Sequence, residues 1–400
     1  MPNHRFYFVV CGAAEHIRTL NFAIRALQKV SKVPIRVVTD STRNEIPVEG
    51  AQVLDIRTPD TFDHHQASIF LKTSLPELIE DQEIGCYLDS DVIALSPEVD
   101  TIFSHFAAPV TFAKDHSPLK YFSPYALNCD CLNDYKTKVG ALEAIIKKHN
   151  PLHEQCNIES NMNTRELFRV FDRLKRKPFR LLKFMFPFYF GSGSCEIKLE
   201  QNYSYRKKTK LFYRNEEPVL NHALNFHREV KAECGCRYTF PGMKWKDVNG
   251  SDVYSLQCDH LAKGIAEKFG VQGIDNNWQH WNGGVFLFNK ASVPFMKEWN
   301  ERTLAAFDDP YWRTRDQGTL VATVWNNQLQ NHILLDTKYN FIADFYNPLI
   351  TWDVERGFTT DNFKTMLCPV FIHVYHHFGD INWEIWQGVE QITHLKTTFD

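Results

Sequence analysis

The run Ile84-Gly85-Cys86-Tyr87-Leu88-Asp89-Ser90-Asp91-Val92-Ile93-Ala94-Leu95 decides how the rest of the chain is read. It climbs through apolar residues to Leu88, presents two carboxylates one residue apart, turns apolar again and stops at Ser96-Pro97. Such a run is expected to be a buried parallel-type strand with a kink at its carboxyl end. On a regular strand Asp89 and Asp91 share a face. Two carboxylates so placed repel each other, and desolvating them is costly without a cation. A divalent ion resolves both difficulties: Mg²⁺ or Mn²⁺ takes one or two carboxylates and completes its shell with water and phosphate oxygens. Asp-x-Asp is common in surface turns, where both groups are simply solvated. Its position after an apolar strand is what favours a metal here.

Upstream, Arg5 to Cys11 is an aromatic and β-branched strand ending in Gly12-Ala13-Ala14, and Ile17 to Val30 follows with helical spacing. Pro34 to Asp40 and Ala51 to Ile56 are further strands. Gln66 to Ile79 is expected to be a helix, bent or restarted at Pro76. Downstream, Pro109 to Ala113 is another strand. Strands alternating with helices imply a parallel sheet with right-handed crossovers, whose ligands bind beyond the carboxyl ends of the strands. Gly12, Thr39, Asp40, Asp89 and Asp91 fall at such ends. Gly12-Ala13-Ala14 is not Gly-x-Gly-x-x-Gly, and no Walker lysine motif is present, which argues against dehydrogenases and P-loop enzymes.

The pattern loosens between about Ser117 and Asp275. In Phe168 to Phe190 basic residues interleave with aromatics, and Pro178 and Pro187 divide the stretch. A basic amphipathic helix of this kind can lie on an anionic membrane surface. The plainer expectation is a helical pair with a solvated basic face. Cys234-Gly235-Cys236 and Cys258-Asp259-His260 could together offer four zinc ligands, although the spacing is not Cys-x-x-Cys and separate thiols are the favoured expectation. Order returns at Trp281-Asn282-Gly283-Gly284-Val285, a polar turn entering an apolar strand, in which glycine allows close approach of the backbone to a ligand. Asp316-Gln317 opens a helix, where Asp316 also suits a cap. Lys338 to Ile342 is expected to be a short strand. Val370 to Asp380 is expected to be a strand delivering His373, His376 and His377, imidazoles that suit Mn²⁺ and similar ions.

Forty-five basic residues against 48 acidic ones give no global signal for nucleic acid. No run approaches the roughly 18 apolar residues of a membrane span. Ten scattered cysteines without a disulfide-like framework fit a reducing compartment. The amino terminus runs into its first strand without a signal-peptide pattern. The expectation is a cytoplasmic enzyme, peripheral at the membrane if residues 165–190 engage lipid.

Taken together, Tyr87-Leu88-Asp89-Ser90-Asp91-Val92, Trp281-Asn282-Gly283-Gly284-Val285, Asp316-Gln317, Tyr339-Asn340 and Ile372-His373 keep the order of motifs in nucleotide-sugar glycosyltransferases of the GT-A fold. The chain most resembles the retaining enzymes of glycosyltransferase family 8, over roughly residues 5–115 and 278–385. That resemblance implies a GT-A-like (Rossmann-like) α/β fold, with a mixed, mainly parallel sheet flanked by helices and a large helical or irregular insertion. It implies a nucleotide-sugar-binding half over 1–116 and an acceptor and catalytic half over 276–400; the insertion between them, 117–275, has no counterpart in the family and is expected to be an acceptor or membrane-surface region. The implied metal ligands are Asp89, Asp91 and His373, for Mn²⁺ or Mg²⁺. Gly12, Ala13, Lys72, Asp89, Ser90, Gly283 and His376 would meet the donor. Asp316, Gln317 and Asn282 would serve the reacting sugar. The implied reaction moves a hexose from a nucleoside-diphosphate sugar, UDP-linked by expectation, to a saccharide or lipid-linked glycan. The family's acidic or Asn residue after the first strand is replaced here by Ala13 and Ala14. Its late phosphate-binding lysine is missing from Gly379-Asp380-Ile381-Asn382-Trp383, and His376 or His377 is the expected substitute. A metal-dependent nucleotidyltransferase or phosphohydrolase, and a non-catalytic carbohydrate-binding protein on a transferase scaffold, are the alternatives.

Overall fold

The computed structural model describes residues 3–219, 221–239, 244–360 and 365–397. Contacts divide it into two units, residues 1–129 with 257–400 and residues 130–256. The first is built on a six-stranded sheet. Strands β1 (Asn3–Val9), β2 (Ile35–Thr39), β3 (Gln52–Asp55) and β4 (Glu83–Leu88) run parallel in the order β3-β2-β1-β4. The strand Gln279–Phe288 then adds antiparallel to β4. Such a strand buries both faces, which is why β1 and β4 read as continuous apolar runs rather than alternating ones. This is the mixed, mainly parallel α/β architecture expected from the sequence, with helix α1 (Ala14–Val30) on one face burying Ile17, Leu20, Ile24 and Leu27.

A second, small sheet decides where the late histidine goes. The short strand β5 (Val92–Ala94) pairs antiparallel with Phe371–His373, which in turn pairs parallel with Phe341–Ile342. The two carboxylates therefore sit on the step between two sheets: β4 ends at Leu88 in the large one, and β5 starts at Val92 in the small one.

Three local expectations change. Helix α2 (His64–Thr73) starts two residues earlier than expected, capped by Asp63 and Gln66, and it stops before Pro76, which lies in a 3-10 turn over Leu75–Glu77 because proline supplies no N–H to continue the ladder. Lys338 and Tyr339 belong to a 3-10 turn capped by Asp336, leaving a strand of two residues. The strand expected through Asp380 ends at His373, because the Asp344 carboxylate accepts from the backbone N–H groups of Tyr375 and His376 and draws the chain into a turn.

The second unit carries long helices, Cys131–Lys148, Asn150–Lys175 and Pro178–Phe190, and a four-stranded antiparallel sheet. The segments 117–129 and 257–275, placed in the insertion on sequence grounds, count with the first unit. Strand β6 (Thr111–Pro118) pairs antiparallel with Gln279–Phe288 on the far side from β4. Leu119, Ala126 and Leu127 share a core with Leu261, Ile265 and Trp312. Cys234 and Cys236 lie in the second unit beside Leu142, Phe226 and Trp245, and the Cys234 thiol donates to the Val230 carbonyl. They do not join Cys258 and His260 in a ligand cluster among the described residues, which corrects that grouping.

Candidate active site

Two registers assemble the site. Val285 stands opposite Leu88, so the next backbone step has the Asp89 N–H donating to the Gly284 carbonyl at 2.8 Å. His373 stands opposite Val92, and the Val374 N–H donates to the Asp91 carbonyl at 3.0 Å. Donor atoms of Asp89, Asp91 and His373 consequently lie within 4.8 Å of one another, with His373 Nε2 3.3 Å from Asp91 Oδ1. Residues nearly three hundred positions apart meet because each follows a paired strand.

The orientation of His373 is fixed by a chain of hydrogen bonds that starts at a group able only to accept. The Asp115 carboxylate accepts from Asn282 Nδ2 at 3.1 Å, so Asn282 Oδ1 faces the other way and accepts from Asn340 Nδ2 at 2.9 Å and from the Gly284 N–H at 2.8 Å. Asn340 Oδ1 is then left to accept from His373 Nδ1–H at 2.9 Å. The tautomer that results directs Nε2 toward the carboxylates, the arrangement by which outer partners orient metal-ligating histidines. Burial pulls the His373 imidazole down, and Asp91 and Asp89 more than offset it, leaving its pKa above the ordinary value. Burial pushes the Asp91 carboxyl up, and His373 and Lys72 outweigh that and hold it below the usual carboxylate range.

The glycines are sterically required. Strand Gln279–Phe288 pairs with β6 through Asn282–Ala113 and then Phe286–Phe112, so Gly283, Gly284 and Val285 bulge out of register toward the site. A Cβ on Gly284 would stand 2.7 Å from His373 Cε1 and 3.0 Å from Asp89 Oδ2.

Lys72, in the last turn of α2, is buried between Asp89 and Asp316, 3.3 Å from each carboxylate. Burial disfavours its charge, and the two acids overcome this and keep its pKa above the ordinary value. Tyr87 adds its hydroxyl to the same Asp89 oxygen at 2.5 Å. Gln317 is half-buried: its Oε1 accepts from the Gly283 N–H at 3.0 Å, and its Nε2 donates to the Trp281 carbonyl. Trp299 Nε1 donates to the Asp316 carbonyl at 2.8 Å, which anchors the start of helix Arg315–Asn326.

A cavity of about 470 Å³ opens over this cluster, lined by Lys72, Asp89, Ser90, Asp91 and Asp316 among others. Its far wall is Val9, Val10, Cys11 and Ala13 at the end of β1. Gly12, beside them, has φ +106° with the His64 ring packed where a Cβ would go. Asn282, Gly283, Gln317 and His373 do not line it. His376 is exposed and does not line the cavity, because the Asp344 turn carries it away from the strand end that holds His373. Three imidazoles that sequence reasoning passed over do line it: His16, His64 and His65. The available signal was helical spacing. His64, Ser68 and Lys72 recur every four residues on α2, and all three line the cavity.

No family model matches the chain, and no curated protein matches it. Solved structures similar to it include the galactosyltransferase LgtC in complex with donor and acceptor sugar analogues, 11% identical, the match covering 98% of this chain and 94% of that one at a TM-score of 0.40. Mouse xyloside xylosyltransferase 1 in its apo form is 10% identical, with 93% and 98% covered and a TM-score of 0.35. The bifunctional glycosyltransferase WbbM is 9% identical over 99% of this chain and 50% of that one, at 0.40. The structures it is similar to are glycosyltransferases.

Proposed function

We propose that this chain is a metal-dependent glycosyltransferase that moves a hexose from a nucleoside-diphosphate sugar, a UDP-sugar in the first instance, to an acceptor hydroxyl with retention of anomeric configuration. The observation that carries this reading is the meeting of Asp89, Asp91 and His373, of which the two carboxylates line a cavity that Lys72 also lines. Two carboxylates and an imidazole suit Mn²⁺ or Mg²⁺, and the tautomer set by Asn340 leaves Nε2 with a lone pair for a cation. When bound, the ion would act as a Lewis acid on the diphosphate leaving group.

The chain's own groups divide the remaining work. Lys72, kept cationic by its two acids, places positive charge beside the leaving phosphates. Asp316 faces the same space and accepts from sugar hydroxyls. Cys11, Ala13 and the imidazoles of His16, His64 and His65 border the end where base and ribose fit. His64 and His65 offer the polar contacts first sought in His376. Ser90 lies between the acids at the donor. Gln317 and Asn282 hold the backbone N–H groups of Gly283 and Gly284 beside the ligand cluster. Lys72 is thus the cationic side chain of a wall that also carries Asp89, Asp91 and Asp316, and an ion held by Asp89 and Asp91 would add to its charge.

The acceptor is read from the second unit, taken by itself. Along helix Pro178–Phe190 the side chains of Phe179, Phe186 and Phe190 are 87%, 71% and 77% exposed, and Leu182 is exposed between them, at spacings of three and four that form one face. Arg176, Lys177, Arg180 and Lys183 accompany it. That combination favours an anionic membrane surface and hence a lipid-linked glycan acceptor. No described helix is long and apolar enough to cross a membrane.

The experiment is incubation with a panel of UDP- and GDP-sugars and Mn²⁺, with the nucleotide product and the anomeric proton of the sugar product followed by NMR. Nucleoside diphosphate and a retained anomer are expected. Release of nucleoside monophosphate would replace the reading with nucleotidyl transfer or phosphohydrolysis, and an inverted product would overturn retention. Co-sedimentation with anionic vesicles, lost in Phe186→Asp, is the expected behaviour of the helix face.

A further inference from the structure

The first unit is interrupted once: the chain leaves it after Cys129 and returns at Gln257. Both ends of this interruption carry metal-ligand side chains. The thiols of Cys129 and Cys258 and an imidazole nitrogen of His260 lie within 4.8 Å of one another. Each arm is anchored independently to the core of the unit. The Asn128 N–H donates to the Tyr311 carbonyl at 2.8 Å, and the Cys258 N–H donates to the Lys120 carbonyl at 3.0 Å. The buried Ser123 hydroxyl accepts from the Leu261 N–H at 2.9 Å and stands 3.1 Å from Cys258 Sγ, so its own hydrogen is available to the sulfur. A hydroxyl donating to sulfur is the kind of outer contact that supports a thiolate ligand. His260 opens the helix His260–Phe269, whose Leu261 and Ile265 are buried in the core shared with Leu119 and Trp312.

We propose that Cys129, Cys258 and His260 hold a structural zinc ion that ties together the two chain ends from which the residue 130–256 unit is inserted. Thiolate and imidazole donors together select zinc over Mg²⁺ or Mn²⁺. Tetrahedral zinc, with Zn–S about 2.3 Å and Zn–N about 2.0 Å, sets its ligand atoms about 3.5–3.8 Å apart, so from separations within 4.8 Å the side chains have about 1.3 Å or less to close. Structural zinc takes four ligands. Cys129, Cys258 and His260 supply three of them from the first unit alone. The site is separate from the Asp89, Asp91 and His373 cluster and shares no residue with it.

The test uses the full chain, produced with zinc present, dialysed, and analysed for metal by mass spectrometry. About one zinc per chain is expected in the wild type and in Asp91→Asn, and close to none in Cys129→Ser or Cys258→Ser. Cys258→His, which keeps a ligand, is expected to retain zinc and the wild-type circular dichroism. Should the serine variants fail to fold, cobalt exchanged into the wild type decides the matter through a thiolate-to-cobalt charge-transfer band. A wild type that folds without zinc, a zinc content unchanged by Cys258→Ser, no thiolate band with cobalt, or an intact mass two hydrogens light from a Cys129–Cys258 disulfide would each overturn the proposal.

Discussion

Gly284→Ala adds one methyl group at the point where the two sheets deliver their ligands. Gly284 does not have the left-handed φ that L residues avoid, so the effect is steric. The new Cβ would stand 2.7 Å from His373 Cε1, 2.9 Å from Asn282 Oδ1 and 3.0 Å from Asp89 Oδ2, whereas ordinary contact begins at 3.4 Å. The imidazole must therefore retreat by about 0.7 Å (3.4 less 2.7). It is held from behind by Asn340 and is buried, so it cannot swing away without breaking the Asp115-Asn282-Asn340 chain. Metal ligands tolerate displacements of about 0.2 Å. We expect Mn²⁺ affinity to fall about 10- to 100-fold, or about 1.4–2.8 kcal/mol, with nucleoside-diphosphate release falling alike at limiting Mn²⁺. The overpacking itself costs about 1–3 kcal/mol of stability. Free Mn²⁺ measured by electron paramagnetic resonance during titration gives the affinity, and initial rates at several Mn²⁺ concentrations give turnover. Gly140→Ala, a helix position with nothing within 4 Å of the added carbon, is the control and is expected to leave both unchanged. Wild-type Mn²⁺ affinity in Gly284→Ala would refute the claim that His373 and Asp89 hold one ion across that glycine.

Three other outcomes follow from the same geometry. Asp91→Asn is expected to lower transfer by about 10³-fold while leaving the melting temperature near that of the wild type, checked by rate assays at saturating Mn²⁺ and by calorimetry. Asp40 is buried and accepts from the N–H and hydroxyl groups of both Thr42 and Thr58; burial raises its carboxyl, and these bonds more than reverse that and hold it well below the usual range. Its contribution is present above the unfolded carboxylate value, near 3.9, and is lost as pH falls below about 4, so Asp40→Asn should cost about 2–4 kcal/mol in urea denaturation at pH 7 and less than that at pH 3. His280 is fully buried, and burial lowers its pKa to about 4. Because the folded chain keeps it neutral, its contribution is whole above pH 6.5 and shrinks by up to about 3 kcal/mol between pH 6.5 and 4; His280→Gln should flatten that slope in denaturation measured across the window.

The strands and the acidic step were legible because they follow from local physics. An apolar run ending in Leu88-Asp89-Ser90-Asp91 can be little other than a buried strand delivering charge at its end, and β1, α1 and β2 announce themselves by period and composition. Gly283 and Gly284 were legible as a place of close approach, though not as the reason for it. Of the three lining histidines, His64 and His65 were hidden because they sit at a helix start, where polar residues are ordinary, and only the four-residue recurrence from His64 through Ser68 to Lys72 marks that face. His376 was misjudged because a strand signal cannot show where a neighbour's carboxylate, here Asp344, will end it. Cys258 and His260 were noticed together, but Cys129, whose thiol lies near them, stands more than a hundred residues away, and spacing along the chain carries no information about which distant loop returns to it.

The amino-acid sequence alone determined which segments bury themselves, which ends carry carboxylates, and that a cation would be wanted there, because hydrophobic period and charge repulsion act over a few residues. Tertiary structure alone decided that Val92 pairs with His373 and Leu88 with Val285, that Asn340 turns the imidazole, and that Lys72 falls between Asp89 and Asp316. Those are consequences of strand register and of accept-only groups fixing the direction of a hydrogen-bond chain, which exist only once distant segments share one core.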